Sequence, residues 1–168
     1  MSFGCQSKTE ISKLTDTDST GLPGDNFNLK GALALFKTSK SPEAFENGLN
    51  AKDNDINNLD LNGDSVVDYI NIFEKANGSA HVFVLQIHVN EKESQDVAVI
   101  ELQKSEKEQA IVQIVGNQLL YGDSVIVEPI ADKNGNNVTM ASMFTGSVYE
   151  AGMLVEVNVM PWPVVQYV

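Results

Sequence analysis

The chain has 168 residues, 42% of them hydrophobic, which is enough for one domain with a sizeable core. Its 23 acidic residues against 11 basic ones leave a net charge of −12, which disfavours nucleic acid and anionic lipid as partners and favours divalent cations. No run approaches the roughly 18 apolar residues of a membrane-spanning helix, and a single cysteine rules out an intramolecular disulfide.

Residues 1–24 are mostly Ser, Thr, Asp, Lys and Gly, which cannot bury enough apolar surface to order themselves. They read as a flexible leader or tether, with a single domain expected over 25–168. Within the leader, Met1-Ser2-Phe3-Gly4-Cys5-Gln6-Ser7 resembles the cleavage region of a bacterial lipoprotein. The resemblance implies that Cys5 becomes a lipidated first residue and that the protein is exported, to the periplasm or the outer membrane. The charged and apolar signal segments of such a site would then lie upstream of Met1. A tether of about 20 residues spans about 25 Å as a coil. A free cysteine in a disordered tail is the other reading of Cys5, and the sequence leaves both open.

Helical spacing starts after the leader. Phe27, Leu29, Ala32, Leu33 and Phe36 recur at intervals of three and four on one helix face, with Asp25 or Asn26 as the expected cap. Ser41 and Pro42 open a second helix carrying Ala44, Phe45 and Leu49, and the Asn/Asp cluster from Asn50 to Asn58 ends it. From Val67 the pattern alternates instead. Val67 to Phe73 and His81 to Val89 form a hairpin around Ala76-Asn77-Gly78-Ser79. Asp96–Lys104, Gln109–Val115 and Ser124–Ile130 are further strands rich in Val and Ile. Asp132 to Asn137 is a turn, Val138 to Ser147 is ambiguous, and Met153 to Met160 is expected to be a strand ending at Pro161-Trp162-Pro163. The apolar segment Val164 to Val168 points to a natural C-terminus beyond it. The fold expected is α+β, two N-terminal helices packed on a mainly antiparallel β-meander.

Between helices and strands lies Asp60-Leu61-Asn62-Gly63-Asp64-Ser65-Val66-Val67-Asp68, with oxygen side chains at loop positions 1, 3, 5 and 9. A hard cation such as calcium takes six to eight oxygens, and clustered carboxylates repel unless one is present. The segment resembles the calcium loops of the EF-hand and dockerin families, and more closely the D-x-N-G-D-G-x-x-D loop of FG-GAP repeats. The resemblance implies calcium ligands at Asp60, Asn62 and Asp64, the backbone carbonyl of Val66, and Asp68. Position 6 is Ser65 where those families have Gly, and position 12 is Asn71 where an EF-hand has its bidentate Glu. Because the following residues alternate as a strand, Asp68 is the expected closing ligand of a helix-loop-strand site. Leu59, Leu61 and Val67 are expected to pin the loop to the core. The competing reading is a solvated Asn/Asp-rich turn.

Enzyme readings are weaker. Gly-Asp-Ser occurs at Gly63-Asp64-Ser65 and Gly122-Asp123-Ser124 and resembles the start of the nucleophile block of one esterase and lipase class, but neither His81 nor His88 follows the Asp-x-x-His pattern of its base. The two histidines, seven apart in a strand, are expected on opposite faces. Acidic pairs such as Glu91 with Glu93 and Glu101 with Glu106 read as solvated faces and turns, and Tyr149, Trp162 and Tyr167 as core or as a contact surface. The general pattern resembles exported proteins of Gram-negative bacteria, a resemblance that implies no activity. The sequence therefore points to a calcium-binding envelope protein acting as a binding or scaffold module for an unknown protein or glycan. Membrane contact would come only through a lipid anchor. The runner-up is a hydrolase of envelope or extracellular polymers using carboxylates paired by the fold.

Overall fold

A computed structural model describes residues 19–52, 54–105, 109–131, 137–143 and 155–168. A single 3-10 turn, Pro23–Asn26, precedes helix α1 at Leu29–Thr38, and α2 follows at Pro42–Leu49. The cap of α1 is Asn28, whose side chain accepts from Gly31 N at 2.9 Å. It replaces the expected Asp25 or Asn26 because both of those lie in the 3-10 turn, where Asp25 instead accepts from Ser19, Thr20 and Gly21. Ser41 caps α2 as expected, with Pro42 in its first turn. The described fold starts ahead of Asp25, since Gly24 is buried and a side chain there would meet the ring of Tyr121 at 2.6 Å.

Six strands run as an antiparallel meander: β1 Ile70–Asn77, β2 Ala80–Asn90, β3 Glu93–Ser105, β4 Gln109–Gly116, β5 Val125–Ala131 and β6 Asn137–Met143. A short α3, Gln118–Tyr121, links β4 to β5. Among the described residues of the segment expected as a strand over Met153–Met160, Val155–Glu156 forms β7, which pairs with the far end of β5, and 157–160 form no strand. The chain then turns through Trp162 into α4, Pro163–Tyr167. At the first hairpin Asn77 pairs with Ala80, leaving a two-residue loop in which Gly78 takes φ 61°, a backbone region open to glycine at little cost.

The core lies between one sheet face and the helices. Alternation puts Ile70 of β1, Phe83, Leu85 and Ile87 of β2, Ile100 and Leu102 of β3, and Ile114 of β4 on that face, all buried. Phe36 of α1 meets Phe45 and Phe83 edge to face, with ring centres 5.1 and 5.2 Å apart, the arrangement that aromatic quadrupoles favour. Val164 and Val165 of α4 are buried as well, and α4 packs on α1. Trp162 is buried with the Lys37 ammonium 5.8 Å from its ring centre, whereas Tyr167 is exposed. Tyr149 and Cys5 lie outside the described residues.

The sheet departs from regular pairing at two places. The first is the free edge of β1. Asn50, just past α2, accepts from Ile70 N and donates to Ile70 O, each at 2.8 Å, so one amide side chain stands in for a neighbouring strand. Glu46 of α2 accepts from Ile72 N at 2.8 Å and from the Tyr69 hydroxyl at 3.0 Å. The second is the opening between β4 and β5, whose pairing covers only Ile114–Gly116 with Val125–Val127. Pro129 brings no N–H to a ladder, and beyond it β5 pairs with β7 in place of β4, while β6 pairs along the whole of β5. Opposite the opening, Ala110 of β4 donates to Asn158 Oδ1 at 2.9 Å and accepts from Val159 N at 2.8 Å.

Candidate metal centre

The loop from Asp60 to Asp68 leaves the helical layer at one end and enters β1 at the other. Its base is tied on both sides. Segment 56–58 pairs with 26–28 through Asn28 N to Ile56 O and Asn58 N to Asn26 O, both 2.9 Å. Asn54 donates to the last carbonyls of α2, Gly48 O at 2.8 Å and Leu49 O at 2.7 Å, satisfying acceptors that every helix end leaves open. Asn57 is buried and donates to Asp68 O at 2.9 Å, while Asp68 N donates to Leu59 O at 2.8 Å. The last residue of the loop is thus held against the segment that leads into its first.

Inside the loop the acids organise the backbone. Asp60 Oδ1 accepts from Gly63 N at 2.7 Å and Asp64 N at 3.1 Å, and its Oδ2 accepts from Ser65 N at 2.9 Å. Asn62 Oδ1 accepts from Asp64 N at 2.9 Å, and Asp64 Oδ1 from Val66 N at 2.8 Å. Asn62 also donates to Asp64 Oδ2 at 3.1 Å. Asp68 is buried to 8% exposure, and its Oδ2 accepts from Leu61 N at 2.6 Å. The chain turns left-handed at Gly63, φ 75°, and again at Ser65, φ 67°. Position 6 therefore takes the conformation for which calcium loops use glycine, and Ser65 bears its steric cost.

The donor chemistry and the turn fit a hard divalent cation at Asp60, Asn62, Asp64, the Val66 carbonyl and Asp68. Among the described residues, however, no three His, Cys, Asp or Glu side chains are drawn together as a metal-holding group. The loop carboxylates here bind backbone N–H groups. Of the expected apolar pins, Leu59 is buried and Leu61 half-buried, but Val67 is 52% exposed and lies ahead of β1, which begins only at Ile70. Val67 fails as a pin because Asp68, its neighbour, is the residue turned inward. Asn71 pairs with Gln86 inside the β1–β2 ladder, so position 12 belongs to the strand.

The Asn-rich run, expected only to end α2, also supplies Asn50, Asn54 and Asn57 as the groups that fix the loop's base. The signal available was their count, since several Asn side chains in succession after a helix can serve its open carbonyls. The remaining catalytic candidates stay apart. His81 Nδ1 lies 2.9 Å from Glu74 Oε1, and His88 Nδ1 lies 2.7 Å from Ser94 Oγ. Among the described residues no hydrogen bond joins either ring to Ser65 or Ser124. Compared with known proteins, the chain matches no family model, no curated protein and no solved structure.

Proposed function

We propose that the Asp60–Asp68 loop binds calcium as a structural clamp between the helical layer and the sheet, in a domain that serves as a binding or scaffold module of the bacterial envelope. The observation that carries this reading is the left-handed Ser65 at position 6, with Asp60 gathering the N–H groups of Gly63, Asp64 and Ser65 around it. The φ of 67° at Ser65 is the sharp left-handed turn that position 6 of a calcium loop requires. Asp68, at the end of the loop, supports the reading further: it is a nearly buried carboxylate at the position where a strand-following loop needs its closing ligand. Calcium would add its charge to three carboxylates that otherwise repel.

The role is structural rather than that of a sensor. A sensor opens a helix pair, whereas this loop runs directly into β1, whose first residues are bonded to Asn50 and Glu46. Binding confined to the native state stabilises it by about 2.7 kcal/mol when free calcium is 100 times Kd. Calcium is expected to raise the melting temperature of the wild-type chain. Asp60→Ala and Asp64→Ala are each expected to abolish the rise, and identical wild-type melting curves in calcium and in chelator would overturn the reading.

A further inference from the structure

Among the described residues β1 is an edge strand, and successive residues turn their backbone groups toward β2 and away from it in alternation. Ile70 and Ile72 point away from β2, as their bonds to Asn50 and Glu46 show. The same alternation turns the N–H and C=O of Glu74 and Ala76 outward, and among the described residues no partner reaches them. Side chains of this stretch divide between the two sheet faces. Glu74 lies on the face of the buried Ile70, where its Oε1 is 2.9 Å from His81 Nδ1, while Phe73 and Lys75 lie on the other face. Residues 73–77 are all exposed, Phe73 by 44%. Phe73 also begins an apolar row across the sheet, in which register sets Val84, Val99, Val115 and Ile126 beside it on β2 to β5.

Two outward N–H and C=O pairs, about 6.7 Å apart at the rise of a strand, match an extended backbone and not a helix, whose own groups are bonded internally. A second copy of this chain is a poor occupant. Antiparallel pairing of the open residues of two β1 edges sets Glu74 against Ala76 and brings Lys75 of each copy face to face. That position is a non-hydrogen-bonded pair, with Cα atoms about 4.5 Å apart, and like charges there repel. The same lysine favours a strand that carries an acid at this position, and Glu74 favours a basic residue at the next. Phe73 then offers apolar area to a third side chain, which would extend the row by one strand.

We propose that the open half of the β1 edge binds an extended peptide as an added antiparallel strand, with an acidic, a basic and an apolar residue in succession facing Lys75, Glu74 and Phe73. Such binding rests on the reading of the domain as a binding module and is independent of calcium at the loop. The probe is the peptide acetyl-Thr-Thr-Glu-Lys-Phe-amide, titrated into the full chain and followed by amide NMR and hydrogen exchange. Saturable shifts along β1 are expected, together with slowed exchange at the Glu74 and Ala76 amides, which exchange fast in the free protein. N-methylation of the peptide at the residues facing Ala76 and Glu74 is expected to abolish binding. Ala76→Pro removes one outward donor, and an edge strand tolerates proline where the missing N–H faces solvent, so binding is lost with the melting temperature retained. Lys75→Glu is expected to weaken binding about fivefold, and a peptide carrying Lys in place of Glu to restore it. Absence of saturation, unchanged exchange at Glu74 and Ala76, wild-type affinity for the N-methylated peptide or in Ala76→Pro, or a dimer of the free chain paired through β1 would each overturn the proposal. Shifts confined to Val84, Val99 and Val115 would overturn the edge as the site and leave the binding-module reading standing.

Discussion

At Ser65 a side chain occupies a backbone region that costs an L-residue roughly 1–2 kcal/mol, so the loop holds strain that glycine would relieve. Glycine also gives the unfolded chain more freedom, which offsets part of the gain. Ser65→Gly is therefore expected to stabilise the calcium-free protein by at most about 1 kcal/mol, as read from urea unfolding. A loss of stability would mean that the serine is held by something other than the turn. The loop's residue types and spacing were legible in the sequence, since ligand positions depend only on separation along the chain. The inward turn of Asp68 and the exposure of Val67 were not, because both depend on where β1 starts, and that is set by Asn50 some twenty residues earlier.

The edge of β1 shows how an element can be finished by side chains. An open edge presents unpaired N–H and C=O groups to any passing strand, and here Asn50 and Glu46 occupy the first of them. Replacing Asn50 with alanine would leave the part-buried Ile70 N–H and C=O without these partners. The expected cost is about 1–3 kcal/mol, measured by chemical denaturation, with faster hydrogen exchange at Ile70 as the local sign. An unchanged exchange rate at Ile70 would show that water replaces the amide freely. The helices and the first strands were readable because their apolar periods are long and regular, as with Leu29, Leu33 and Phe36 or Phe83, Leu85 and Ile87. α3, β7 and the opening at Pro129 were hidden for the opposite reason. Each is short, and each is fixed by contacts with distant segments rather than by its own pattern.

At the scale of the whole molecule, ionisation of buried groups couples the fold to pH. Tyr121 is pushed above the usual tyrosine range, first by burial and then by the charge of Asp25, and its hydroxyl donates to Phe27 O at 3.0 Å. The folded state therefore keeps this proton to a higher pH than the unfolded chain does. The stabilisation is complete below about pH 10 and is lost as pH rises beyond it, by up to about 1.4 kcal/mol per pH unit. Tyr69 adds to the same trend, because its hydrogen bond to Glu46 raises it too. Tyr121→Phe should be less stable at neutral pH by about 1 kcal/mol, from the lost hydrogen bond, yet show a shallower alkaline decline. Parallel stability curves for the two proteins between pH 9 and 11 would contradict this. The partner of the first helix, α4, is made only after all the described strands of the sheet, with Val159, Val164 and Val165 all buried. During vectorial synthesis the nascent chain would hold an incomplete core until α4 had emerged from the ribosome.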